Sequence, residues 1–92
     1  MARKNINFMM RYVKAFIDGK KERWEFDLDF DFELTNRYDD MCAEDEDYAW
    51  YFNFRIAESG VYAGDDLPDD EYRELIADQY YQVKETAAEG FY

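Results

Sequence analysis

Trp24-Glu25-Phe26-Asp27-Leu28-Asp29-Phe30-Asp31-Phe32-Glu33-Leu34 alternates apolar and acidic residues without a break, and whether this stretch is strand or helix decides the fold. Strict alternation is the mark of a half-buried strand with one oily and one acidic face. A strand needs a mate, and the preceding chain supplies one only if Asp18-Gly19 is a hairpin turn between residues 12–17 and 23–30. Such a hairpin alone is marginal in water. At helical spacing, Phe26, Phe30, Leu34, Tyr38 and Met41 form one stripe at offsets of four, four, four and three. The alternation stops at Leu34 while the stripe runs on to Met41. Helix is therefore favoured beyond Phe30, and residues 24–30 stay open between helix and extended chain.

Working outward, Ile6, Met9, Met10, Val13, Phe16 and Ile17 recur at three- and four-residue steps. This predicts a first helix capped by Asn5 and stopped by Gly19. Asp45 to Asp47 mark an acidic break or the start of a third helix, with carboxylates at its positive end; that helix runs to Ser59 and is closed by Gly60. Its Tyr48, Trp50, Tyr51, Phe54 and Ala57 are spread over more than one side, as in a central or interface-forming helix. After a loop at 61–67, Pro68 and the acids behind it open a last helix with Tyr72, Leu75, Ile76, Gln79, Tyr80 and Val83 on one face. That helix should end near Gly90, leaving Phe91 and Tyr92 to fold back or fray. No repeat or linker divides the chain. The expected fold is a single mainly α domain over residues 1–92, a small compact bundle of about four helices; the alternative is α+β with an N-terminal β-hairpin.

The composition limits the function. Nine Tyr, eight Phe and two Trp in 92 residues argue against disorder. They also exceed what so small a core encloses, so some Tyr should lie at the surface. The one cysteine, Cys42, makes no internal disulfide, and no signal peptide or apolar run near 20 residues is present. This fits a soluble, cytoplasmic protein of a reducing compartment, away from membranes.

With no His and a single serine, Ser59, the chain lacks Ser-His and Cys-His catalysis and His-ligated metal sites. Asp27, Asp29 and Asp31 resemble the start of a calcium loop. Position six is then Phe32 instead of Gly and position twelve Tyr38 instead of Glu. Pairs such as Asp39-Asp40 or Asp65-Asp66 are expected from the abundance of acids alone. No enzyme activity, metal or cofactor is expected.

The charge is −12 overall and unevenly placed. Residues 1–23 hold seven Lys/Arg and two acids, a net of +5, whereas residues 24–92 hold four bases and 21 acids, a net of −17. Self-repulsion of that size destabilises a small fold, so so one-sided a surface points to use. Duplex DNA carries about one charge per ~1.7 Å of axis, and its binders line grooves with Lys and Arg. The candidate partner-binding residues are Glu25, Asp27, Asp29, Asp31 and Glu33, then Asp39, Asp40, Glu44, Asp45, Glu46 and Asp47, and finally Asp65, Asp66, Asp69, Asp70 and Glu71. The basic head either packs on the acidic body or touches nucleic acid already held by the target. Direct DNA or RNA binding by this chain is not expected.

In its shortness, the acidic stretch Glu25–Glu33, the cluster Glu44-Asp45-Glu46-Asp47, its wealth of Tyr and its lack of catalytic residues, the chain resembles the small acidic inhibitors of phages and mobile elements, the anti-CRISPR and DNA-mimic proteins. The resemblance implies a bacterial host cytoplasm and a non-enzymatic inhibitor of a nuclease. It makes a Cas9-like CRISPR effector the first candidate and a restriction enzyme or another CRISPR effector the next. The basic head departs from a uniformly acidic mimic. Two alternatives stay open: an immunity-type protein for a basic nuclease toxin, and an oligomeric adaptor whose acids only solubilise it.

Overall fold

Each of the four stripes becomes helix in the computed structural model, which describes residues 3–90. The order is α1 (Lys4–Ile17), α2 (Arg23–Glu44), α3 (Glu46–Phe52), a π-helical segment (Asn53–Tyr62) and α4 (Asp69–Glu89). No strand occurs among the described residues, so the hairpin alternative is overturned: residues 12–17 belong to α1 and 23–30 to α2. Helix α1 packs against α2 and α4, α2 against α3, and the π segment against α4, which closes a ring around one core. Phe91 and Tyr92 lie outside the described residues.

The alternating run resolves on helical geometry. Residues two apart on an α-helix are turned by roughly 200°, so every second residue falls on the opposite side. Phe26, Phe30 and Leu34 are buried with Met41, while Trp24, Leu28 and Phe32 face outward. A reciprocal capping box starts this helix: Glu22 accepts from the Glu25 N–H, and the Glu25 carboxylate accepts from the Glu22 N–H at 3.1 Å.

Helix α1 ends as expected. Gly19 has φ +80°, its N–H bonds the Phe16 carbonyl at 3.1 Å, and the Lys20 N–H bonds the Ala15 carbonyl at 2.9 Å, a Schellman closure. The start differs. Asn5 sits inside the first turn, and the capping position is Arg3, whose side chain makes no cap bond. The donors are covered instead by Glu44 from the end of α2, which accepts from the Ile6 and Asn5 N–H groups at 3.0 and 2.9 Å and from the Asn5 amide at 2.8 Å. A carboxylate 38 residues away does the work that a local cap would otherwise do.

Burial alone would raise the Glu44 pKa, but the bonds from Ile6 and Asn5 outweigh it and hold the carboxyl below its ordinary value. A lowered folded-state pKa gives stability that is present above the unfolded value, near ~4.3, and is lost as pH falls through the folded one. Glu44→Gln should therefore lose about 0.5–2 kcal/mol at pH 7, the range for a cap. Urea melts should show that difference shrinking as pH falls below about 4.

Asp45 caps α3, accepting from the Tyr48 N–H at 3.2 Å. Gly60 does not close this helix. The π segment carries the chain through it to Tyr62, so Val61 and Tyr62 are helical and the loop is shorter than expected. Gly60 is buried under α4, where a Cβ would meet Ile76 Cδ1 at 3.0 Å. That glycine lies in a closely packed stretch of helix and does not terminate it. Helix α4 buries Tyr72, Ile76, Tyr80 and Val83 and runs to Glu89.

The core is built on aromatic rings. Phe16 stacks on Phe26 at 4.4 Å between centroids, Tyr12 and Phe30 pack on Phe26 at 5.4 and 5.3 Å, and Tyr72 meets Phe16 at 5.7 Å. Tyr12, Tyr48, Tyr72 and Tyr80 are buried, and Tyr62 and Tyr81 are exposed, so the surplus of Tyr divides between core and surface. Cys42 is half-buried against the core. No helix among the described residues is long and apolar enough to cross a membrane.

Candidate functional site

The outward face of α2 concentrates what the rest of the surface scatters. Trp24, Leu28 and Phe32 are 68%, 70% and 66% exposed, and their four-residue spacing makes them neighbours along ~12 Å of helix. Taking Leu28 as the centre, Glu25 and Asp29 lie roughly 60–100° to one side and Asp31 and Asp27 the same angle to the other. An apolar ridge thus runs between two rows of carboxylates. Exposed Asp39 continues the line of the ridge beyond Phe32.

On the flank of Asp27 and Asp31 the surface opens into a hollow of about 320 Å³ lined by those two residues with Phe30, Val61, Tyr62 and Asp65. A second hollow of about 290 Å³ adjoins Trp24, with Glu22, Arg23, Asp27 and Asp69. Tyr72 donates to Asp27 at 2.7 Å and Tyr62 to Asp31 at 2.5 Å. Burial and the bond to Asp31 push the Tyr62 phenol up to about 12, and burial beside Asp27 raises Tyr72 as well. Both phenols stay protonated at neutral pH and hold these carboxylates in fixed positions.

The sixteen acids predicted from sequence do not form one array. Glu44 and Asp45 sit at the far end of α2, about 30 Å from Glu25, where Glu44 caps α1 and Asp45 pairs with Arg3 at 2.8 Å. Glu33 pairs with Arg37 at 3.1 Å. Glu46 and Asp47 occupy the first turn of α3 and Asp69, Asp70 and Glu71 that of α4, where they complement the helix dipole. Asp65 joins the α2 face through the first hollow, and Asp69 is brought beside it by Arg23 at 3.1 Å. Asp29, Asp39, Asp40 and Asp66 are exposed. Residues 27–38 are continuous helix, so no calcium loop forms there.

Two features escaped the sequence. One is the ridge itself, because period-two alternation on a helix exposes half of its apolar residues. The other is Arg23, which stacks over Tyr72 at 4.0 Å and donates to the carbonyls of Leu67 and of Asp65, the latter at 2.9 Å. It ties the start of α2 to the loop before α4. Together with Arg3, it docks the basic head on the acidic body.

A smaller apolar patch lies elsewhere, where Trp50 and Phe54 stack at 5.3 Å beside a hollow lined by Asp47, Trp50, Tyr51 and Thr86. Among the described residues no group of three or more His, Cys, Asp or Glu is arranged to hold a metal ion. No family model, curated protein or solved structure matches this chain.

Proposed function

We propose that this chain is a non-enzymatic inhibitor that lays the outward face of α2 into the basic nucleic-acid-binding groove of a nuclease and keeps DNA out. The observation that carries this reading is the pair of carboxylate rows along the outward face of α2, half-buried Glu25 with exposed Asp29 on one side and exposed Asp27, paired with Arg23 at 3.5 Å, with exposed Asp31 on the other. Carboxylates at that spacing can meet the Lys and Arg that line such a groove, and a protein and a duplex cannot share it. The resemblance to small acidic phage inhibitors makes a CRISPR effector such as Cas9 the first candidate target. An immunity-type protein for a nuclease toxin would use the same face.

Affinity capture from cells carrying candidate effectors tests this. The expected result is a captured nuclease whose cleavage of target DNA stops when the purified chain is added. A captured nuclease that still cuts at full rate contradicts it. The stacked Trp50 and Phe54 favour one second reading, an oligomeric adaptor. Its mark would be a stable oligomer in light scattering that Trp50→Ala dissolves.

A further inference from the structure

Resting on the proposed use of this face, we infer that the partner surface is amphipathic as well as basic: a cleft with an apolar floor that takes Trp24, Leu28 and Phe32, rimmed by Lys or Arg on both sides. A pure DNA mimic has no need of these three side chains, because a duplex presents charge to its groove. Single exposed apolar residues are ordinary, but three contiguous large ones on a rigid helix mark an interaction surface. Trp and Phe between two polar rows match the aromatic centre and polar rim of an interface.

Charge excludes the other occupants. In a second copy docked symmetrically, Glu25, Asp27, Asp29 and Asp31 would face the same four residues, and like-charge juxtaposition opposes the contact. Anionic lipid headgroups and nucleic acid are repelled by the same rows. A cationic protein surface with apolar side chains between its charges satisfies both the ridge and its frame.

Two synthetic peptides of equal length and charge, one alternating Lys with Leu at helical spacing and one with Ser in place of Leu, separate the two contributions. Fluorescence of Trp24 in a Trp50→Phe background reports binding at α2. The Leu peptide should bind at least tenfold more tightly, and Leu28→Ser with Phe32→Ser should erase that preference while circular dichroism stays unchanged. Equal binding of both peptides, a preference that survives the double substitution, or a ridge-dependent dimer in sedimentation would overturn the inference. A nuclease complex that failed to exclude DNA would remove the proposed function and leave this preference standing.

Discussion

Phe26→Ala is expected to lose about 3–5 kcal/mol, the range for emptying a buried aromatic site. Phe26 is fully buried between Phe16, Tyr12 and Phe30, and its carbonyl accepts the Tyr12 hydroxyl at 2.8 Å. The ring joins α1 to α2 in the middle of this aromatic stack, so its removal leaves a cavity there. For a domain with ~5–15 kcal/mol in all, that is a large fraction. At ~4–8 °C per kcal/mol the melting temperature should fall by roughly 12–40 °C. Phe32→Ala, six residues on and 66% exposed, should stay within about 0.5 kcal/mol of the parent. In a strand both rings would share one face and their losses would be alike, so thermal melts of this pair also decide between helix and strand.

Asp29→Lys together with Asp39→Lys should leave the fold intact and lower affinity for the target groove by about 10–100-fold at low salt, chiefly through slower association. Both residues are exposed. The loss should shrink as salt is added, because the Debye length of ~8 Å at physiological ionic strength falls to ~3 Å at 1 M. Asp27 and Asp31 are poor choices for this purpose. They anchor Tyr72 and Tyr62, so reversing them would confuse lost binding with lost structure. Surface plasmon resonance over a salt series, with a melt of each variant, separates the two effects.

What was legible in the sequence was local. Gly19 as a stop, the acids at Asp45 to Asp47 opening a helix, Pro68 before acids, and the three- and four-residue steps of the stripe from Phe26 to Met41 each act within one or two turns of chain, where spacing and residue type suffice. What was not legible depends on partners far away in sequence. Asn5 has the chemistry of a cap, yet Glu44 takes that role once α1 and α2 pack. Gly60 has the chemistry of a helix stop, yet the chain stays helical through it to Tyr62 while it packs under Ile76. The acids were visible as composition, but composition does not tell which of them α1, Arg3, Arg23 and Arg37 hold within the fold. The ridge was hidden because alternation suggests a strand, and only the helix turns Trp24, Leu28 and Phe32 to the outside.

Under the proposed function, the outward face of α2 and DNA compete for one basic groove. The most direct measurement is equilibrium competition: captured nuclease bound to labelled duplex, titrated with this chain at several salt concentrations. Full displacement of the duplex is expected, with no ternary complex and an inhibitor affinity that falls as salt rises. A stable ternary complex whose affinity is indifferent to salt would contradict it.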